Sequence, residues 1–154
     1  MKITTAQAQD IPQLVQIWHE GWHQAHGDIV SAALVATRQP DEFTARMTED
    51  LPDVRVGRDE QGIAGFYILK QDELYQLYVD PALKGRGVAQ ALMASVEADL
   101  TGRTAWLACT VGNLRAARFY EKCGWHRAET VSYTAPTRDG SVTLDVWRYE
   151  KQIG

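Results

Sequence analysis

The stretch YVDPALKGRGVAQALM, Tyr78 to Met93, constrains the fold more than any other part of the chain. A strand-like run ends at Asp80-Pro81. Lys84-Gly85-Arg86-Gly87 follows, and a helical pattern starts at once, with Val88, Leu92, Val96 and Leu100 on one stripe. Glycine after a strand lets the backbone turn sharply and come close to a ligand. The first amides of a helix have no partner within it, and the helix dipole favours an anion at that end. Arg86, Gly87, Val88, Ala89 and Gln90 would supply those amides, and Lys84 and Arg86 add positive charge. A diphosphate suits such a place, because it accepts many N–H bonds at once.

Around this stretch the pattern alternates between strand and helix. Ile3 to Thr5 can start a strand. Asp10 can cap a helix, with Pro12 in its first turn and Gln13 at the capping-box position. Ile11, Leu14, Val15, Trp18, Trp22 and Ala25 follow at helical spacing until Gly27-Asp28 breaks it. A second helix is predicted from Asp41 to Glu49. VRVGRDEQGIAGFYIL reads as a hairpin turning at Asp59 to Gly62, and ELYQLYVD is a third strand after Gln71-Asp72. TAWLACTV is a continuous apolar run that fits a buried strand. Asn113 opens a helix with Ala116, Phe119, Tyr120 and Cys123 on one face, and Gly124 can stop it. Two last strands, Trp125 to Thr134 and Ser141 to Glu150, flank the turn RDG. The order β-α-α-β-β-β-α-β-α-β-β gives an α+β fold, with a mixed, mostly antiparallel sheet of about seven strands flanked by about four helices. The strands joined through the helix from Gly87 should be parallel, with a right-handed crossover.

The 154 residues fit one domain spanning 1–154. A net charge of −4 provides no global basic field for nucleic acid, so any anionic ligand must be held by local charge. Cys109 and Cys123 lack metal-knuckle spacing and read as buried thiols. No apolar run is long enough to span a membrane, and MKITTAQAQD has no signal-peptide core, so the chain reads as cytoplasmic.

The phosphate-loop pattern GxxxxGK[ST] is absent, and GxGxxG fails at its third glycine, where Gln90 stands. KGRGVA instead resembles the acyl-CoA diphosphate loop of the GNAT superfamily of N-acyltransferases: Gln or Arg, two residues, Gly, any residue, Gly or Ala. Lys84 takes the first place, a departure that keeps a cation and loses the planar fork. Gly87 takes the fourth place and Ala89 the sixth. LYVDP resembles the family's fourth strand and its exit. NLRAARFYEKCGW resembles the family's Asn…Ala…Phe-Tyr-Glu-Lys-x-Gly-Phe segment, with Trp125 in place of the usual Phe.

The resemblance implies a GNAT-like fold and an N-acetyltransferase that uses acetyl-CoA as co-substrate and no metal. It implies that the fourth and fifth strands splay apart, and that Leu77, Tyr78 and Val79 run along the pantetheine arm. Lys84, Gly85, Arg86, Gly87, Val88, Ala89 and Gln90 would hold the diphosphate. Asn113 would bond the pantetheine, or cap its helix, or both. Tyr120 would stand near the CoA sulfur as general acid, beside its other reading as a core aromatic. Arg115, Arg118 and Lys122 are options for the 3′-phosphate. The acceptor would be a primary amine of a small molecule or peptide. A primary amine has a pKa of about 10.4, so a base is needed at neutral pH. Glu73 is the first candidate; His23 and Tyr78 follow. Trp22, His26, Tyr133 and Trp147 are expected to wall the acceptor site. A homodimer is a further implication; nucleic acid and membrane are not expected partners.

Two other readings exist. His19-Glu20-Gly21-Trp22-His23 matches HExxH, the zinc helix of metalloproteases. Against it, too little chain precedes the motif for a backing sheet, and Trp18 and Trp22 read as core anchors. A fold of this kind could also hold acyl-CoA as a sensor without turnover.

Overall fold

A computed structural model describes residues 1–154. Its sheet has seven strands: β1 (Lys2–Thr5), β2 (Val54–Asp59), β3 (Gly62–Lys70), β4 (Glu73–Val79), β5 (Thr104–Thr110), β6 (His126–Thr137) and β7 (Gly140–Gln152). Five α-helices accompany them: α1 (Ile11–His26), α2 (Ala32–Thr37), α3 (Pro40–Asp50), α4 (Val88–Asp99) and α5 (Leu114–Lys122). The strand order is β1-β2-β3-β4-β5-β7-β6. All neighbours are antiparallel except β4 and β5, the pair joined through α4. The mixed, mostly antiparallel sheet is the one the pattern predicts, with one helix more.

The extra helix is α2. Its cap, Ser31, accepts a hydrogen bond from the Leu34 amide. Six residues are too few for a 3.6-residue period to show, but Leu34 and Thr37 are buried. Asp10 also departs from expectation. It makes no side-chain cap on α1. Its carboxylate accepts from the Gln7 amide at 2.8 Å and pairs with Arg58 of β2 at 2.5 Å. That ion pair joins the start of α1 to the hairpin.

The sheet has a core on each face, as alternation along β3 requires. Phe66 and Ile68 point to α1–α3, where Trp18 meets Phe43 at 5.0 Å and Phe66 at 5.9 Å between ring centroids. Tyr67, between them, points to the other face and joins Leu92 and Val96 of α4, Ala117 of α5 and Tyr149. Residues Ile63 to Ile68 are all buried, which explains the unbroken apolar run in this strand. Of the two thiols, Cys109 is buried and Cys123 only half-buried. No helix is long and apolar enough to cross a membrane.

Candidate active site

Strands β4 and β5 pair at one register position, Glu73 with Trp106. Beyond it they part. The backbone edges of Leu77–Val79 and Ala108–Thr110 line a cavity of about 830 Å³ that reaches both faces of the sheet. On the α4 and α5 side the walls are Val88, Ala89, Gln90 and Asn113; on the α1 and α2 side they include Trp22 and Leu34. An irregularity sharpens the parting. Leu69 pairs with Leu74 and Ile68 with Gln76, so Tyr75 is an extra residue in β4. Such bulges bend a strand and re-aim its groups, often beside active sites.

At one end of the cavity lies the glycine loop. Gly85 and Gly87 have φ of +79° and +78°, a left-handed conformation that side chains resist. A Cβ at either would meet nothing within 4 Å, so conformation and not crowding demands glycine there. The first hydrogen bond inside α4 runs from the Ala91 amide to the Gly87 carbonyl. The Gly87, Val88, Ala89 and Gln90 amides therefore lie ahead of the helical ladder, at its positive end. Arg86 differs from expectation: its amide donates to the Leu83 carbonyl at 3.3 Å, and the residue does not line the cavity. The loop's first residue, Lys84, reaches back to α1 and donates to the Gln24 side chain at 3.0 Å.

Asn113 caps α5, its side-chain oxygen accepting from the Ala116 amide at 3.3 Å. It also lines the cavity. Tyr120, two turns on, faces the same space beside Cys109 and Tyr78, with Phe119 and Tyr149 packed around its ring. Burial pushes both the Tyr120 and Tyr78 hydroxyls well up, and the Cys109 thiol up to about 12. All three stay protonated at neutral pH. Glu73 lines the cavity as well, and burial raises its carboxyl despite Arg148 and Lys70 nearby.

Gly21 fixes the position of Tyr78. A Cβ on this helical residue would stand 2.5 Å from Cδ1 of the Tyr78 ring. The ring thus lies directly on the backbone of α1, and the glycine of HEGWH is there for contact. The histidines of the motif are used locally. His23 donates from Nε2 to the Arg38 carbonyl, 2.5 Å away, since a carbonyl only accepts. Its ring stands 4.5 Å from that of His19. The Glu20 carboxylate accepts from Gln16. No three His, Cys, Asp or Glu residues gather at one point.

Trp22, His26 and Tyr133, expected to wall an acceptor site, line the cavity. His26 donates from Nδ1 to the Trp22 carbonyl at 2.9 Å, and burial lowers its pKa. The neutral ring keeps a free lone pair on Nε2. Trp147 is not brought to the cavity: its ring packs under the Arg127 guanidinium, 3.8 Å from the centroid. Arg115 lines the cavity, whereas Arg118 and Lys122 do not. Sequence reasoning missed Arg38 and Arg46. Their signal was the spacing Arg38, Glu42, Arg46, which reads equally well as an ordinary solvated ladder.

Residues 13–125 match the family model described as Acetyltransferase (GNAT) family. The chain belongs to that family. It is 36% identical over 94 residues to uncharacterized N-acetyltransferases of Mycobacterium tuberculosis and Mycobacterium bovis. The match covers 53% of this chain and 60% of each relative, so it spans under two thirds of their length. A GCN5-related N-acetyltransferase of Rhodopseudomonas palustris has the same fold, with a TM-score of 0.74 and 22% identity over 98% of this chain and 94% of that one. So does the PaiA N-acetyltransferase of Thermoplasma acidophilum, solved in complex with coenzyme A: TM-score 0.67, 17% identity, 98% of each chain.

Proposed function

We propose that residues 1–154 form one N-acetyltransferase domain that moves an acetyl group from acetyl-CoA to a primary amine by direct attack. One observation carries this reading: strands β4 and β5 part beside a helix start whose amides precede the helical ladder. A diphosphate fits the backbone of Gly85 and the amides from Gly87 to Gln90, with Lys84 as the nearby cation. The free edges of Leu77, Tyr78 and Val79 fit an extended amide-bearing arm, which Asn113 contacts from the far side. An amide near Val79 is placed to stabilise the developing oxyanion.

In the transfer, the amine nitrogen bonds to the thioester carbonyl carbon and the C–S bond breaks. The sulfur leaves as thiolate beside Tyr120. With its pKa raised above the usual tyrosine value of about 10, the hydroxyl lies more than ~2 kcal/mol uphill of full transfer to a thiol of about 8.5. Tyr120 therefore acts by donating a hydrogen bond to the thiolate, and the proton lost by the amine balances the one the thiolate takes up, passing through Glu73 and solvent. Glu73 accepts the proton lost by the amine, and its raised pKa brings it nearer the working pH. The products are an acetamide and CoA thiol.

We further infer a cytoplasmic protein and, from the family resemblance, a homodimer; cell fractionation tests the first and light scattering the second. The test of function is a panel of amines with acetyl-CoA, read by release of free thiol. Transfer to any amine supports the reading. Tight CoA binding with no transfer across the panel would mark a sensor.

A further inference from the structure

The cavity walls include four cations, Arg38, Arg46, Lys84 and Arg115, and one carboxylate, Glu73. Lys84 and Arg115 belong to the glycine-loop and α5 end. Arg38 and Arg46 stand across the sheet, on the α2 and α3 wall, with Trp22 and Leu34.

These two arginines share one counter-charge. Arg38 Nη1 donates to both oxygens of Glu42 at 2.9 and 2.8 Å, and Arg46 Nη1 donates to one of them at 3.2 Å. Two guanidinium groups against one carboxylate leave one positive charge over. It is held largely away from water, with the Arg38 and Arg46 side chains 12% and 23% exposed. Arg46 is braced: Nη2 donates to the Tyr75 hydroxyl at 2.8 Å, and the guanidinium lies 4.6 Å from the Trp18 ring centroid. Arg38 is not saturated. It commits only Nη1, so Nη2 has no protein partner; Nε also has none but is closed off from the cavity. A buried cation with unmade hydrogen bonds is costly unless a ligand completes it. Both guanidinium groups act electrostatically on Tyr78, whose backbone lines the strand gap.

Resting on the acetyltransfer reading, we propose that the acceptor is an amine that also bears a carboxylate, of the amino-acid class, and that Arg38 and Arg46 receive the acid group. The charge excess on this wall favours an anion, and an arginine fork matches a carboxylate in plane. A polyamine or a lysine-rich peptide would meet like charge there. Trp22 and Leu34 offer apolar contact to the acceptor side chain.

The test separates acceptor binding from transfer. The twenty amino acids and their methyl esters are titrated calorimetrically into full-length protein saturated with CoA. At least one free acid should bind ten-fold or more tighter than its ester. Arg38→Gln should erase that preference, and Arg38→Lys, which keeps the charge, should retain part of it. Circular dichroism checks that each variant folds. An ester that binds as well as its acid, or no binding by any acid, overturns the inference. Thiol release with the same pairs is scored independently: transfer only to the esters overturns the acid-group inference and leaves acetyltransfer standing. Selective binding of acids with no thiol release would sink acetyltransfer and leave the anion site standing.

Discussion

Burial pushes the Tyr120 hydroxyl up, so it remains a donor throughout the neutral range. Tyr120→Phe removes that donor and keeps the ring among Phe119 and Tyr149. We expect kcat to fall by about 10²-fold with little change in acetyl-CoA affinity; equal rates would reduce Tyr120 to packing. Glu73 is moved in the opposite functional sense. Its pKa is raised by burial, so its basic form is lost at a higher pH than an ordinary carboxylate's. The acid limb of kcat/KM should therefore lie above the usual carboxylate range, and Glu73→Gln should abolish it. A limb that survives the substitution would move the base elsewhere, His26 being the neutral imidazole at hand. The same shift has a sign for folding. With the folded value above the unfolded one, the contribution is full below the unfolded value and is lost as pH rises through the folded value.

Helix α1 and strand β4 touch through Gly21 and Tyr78, and this contact sets one wall of the site. Gly21→Ala would gain about 1 kcal/mol of helix propensity but place a methyl 2.5 Å from the ring. Overpacking of this kind costs roughly 1–3 kcal/mol, so urea unfolding should show a net loss of stability, with kcat/KM falling as Tyr78 shifts. Higher stability at unchanged activity would mean that the ring gives way freely. The start of α1 is held by Asp10 and Arg58. Arg58 holds the Asp10 carboxyl below the usual carboxylate range. The stabilisation is therefore present above the unfolded carboxylate value and is lost as pH falls through the folded one. Asp10→Asn should cost roughly 1–3 kcal/mol at pH 7, towards the lower end because Arg58 is 30% exposed. Urea titrations at pH 7 and pH 3 check it: the difference should shrink in acid, and an equal loss at both would contradict the ion pair.

Across the whole molecule, two cores on opposite sheet faces hold a gap between two strands, and the proposed function lies in that gap. Local pattern made the glycine loop, the α4 stripe and the Asn113 cap legible, because each depends on residues within a few positions of one another. It hid what long-range packing decides. Asp10 meets a partner 48 residues away instead of capping its own helix. Alternation placed Trp147 on one face or the other of β7, but not its packing: it stands opposite Cys109 of β5, yet its ring lies under Arg127 and not in the cavity. Arg38 and Arg46 face the cavity only because α3 packs on α1 and α2 packs against β6.

Calorimetric titration of acetyl-CoA into the folded protein, beside Gly87→Glu, tests the central claim most directly. The added side chain must adopt φ near +78° and brings negative charge to the helix start. Saturable binding to the native chain, weakened at least ~10-fold by the like charge and strained backbone at Gly87→Glu, is the result predicted. No heat at millimolar acetyl-CoA, or equal affinity in a well-folded variant, would contradict it.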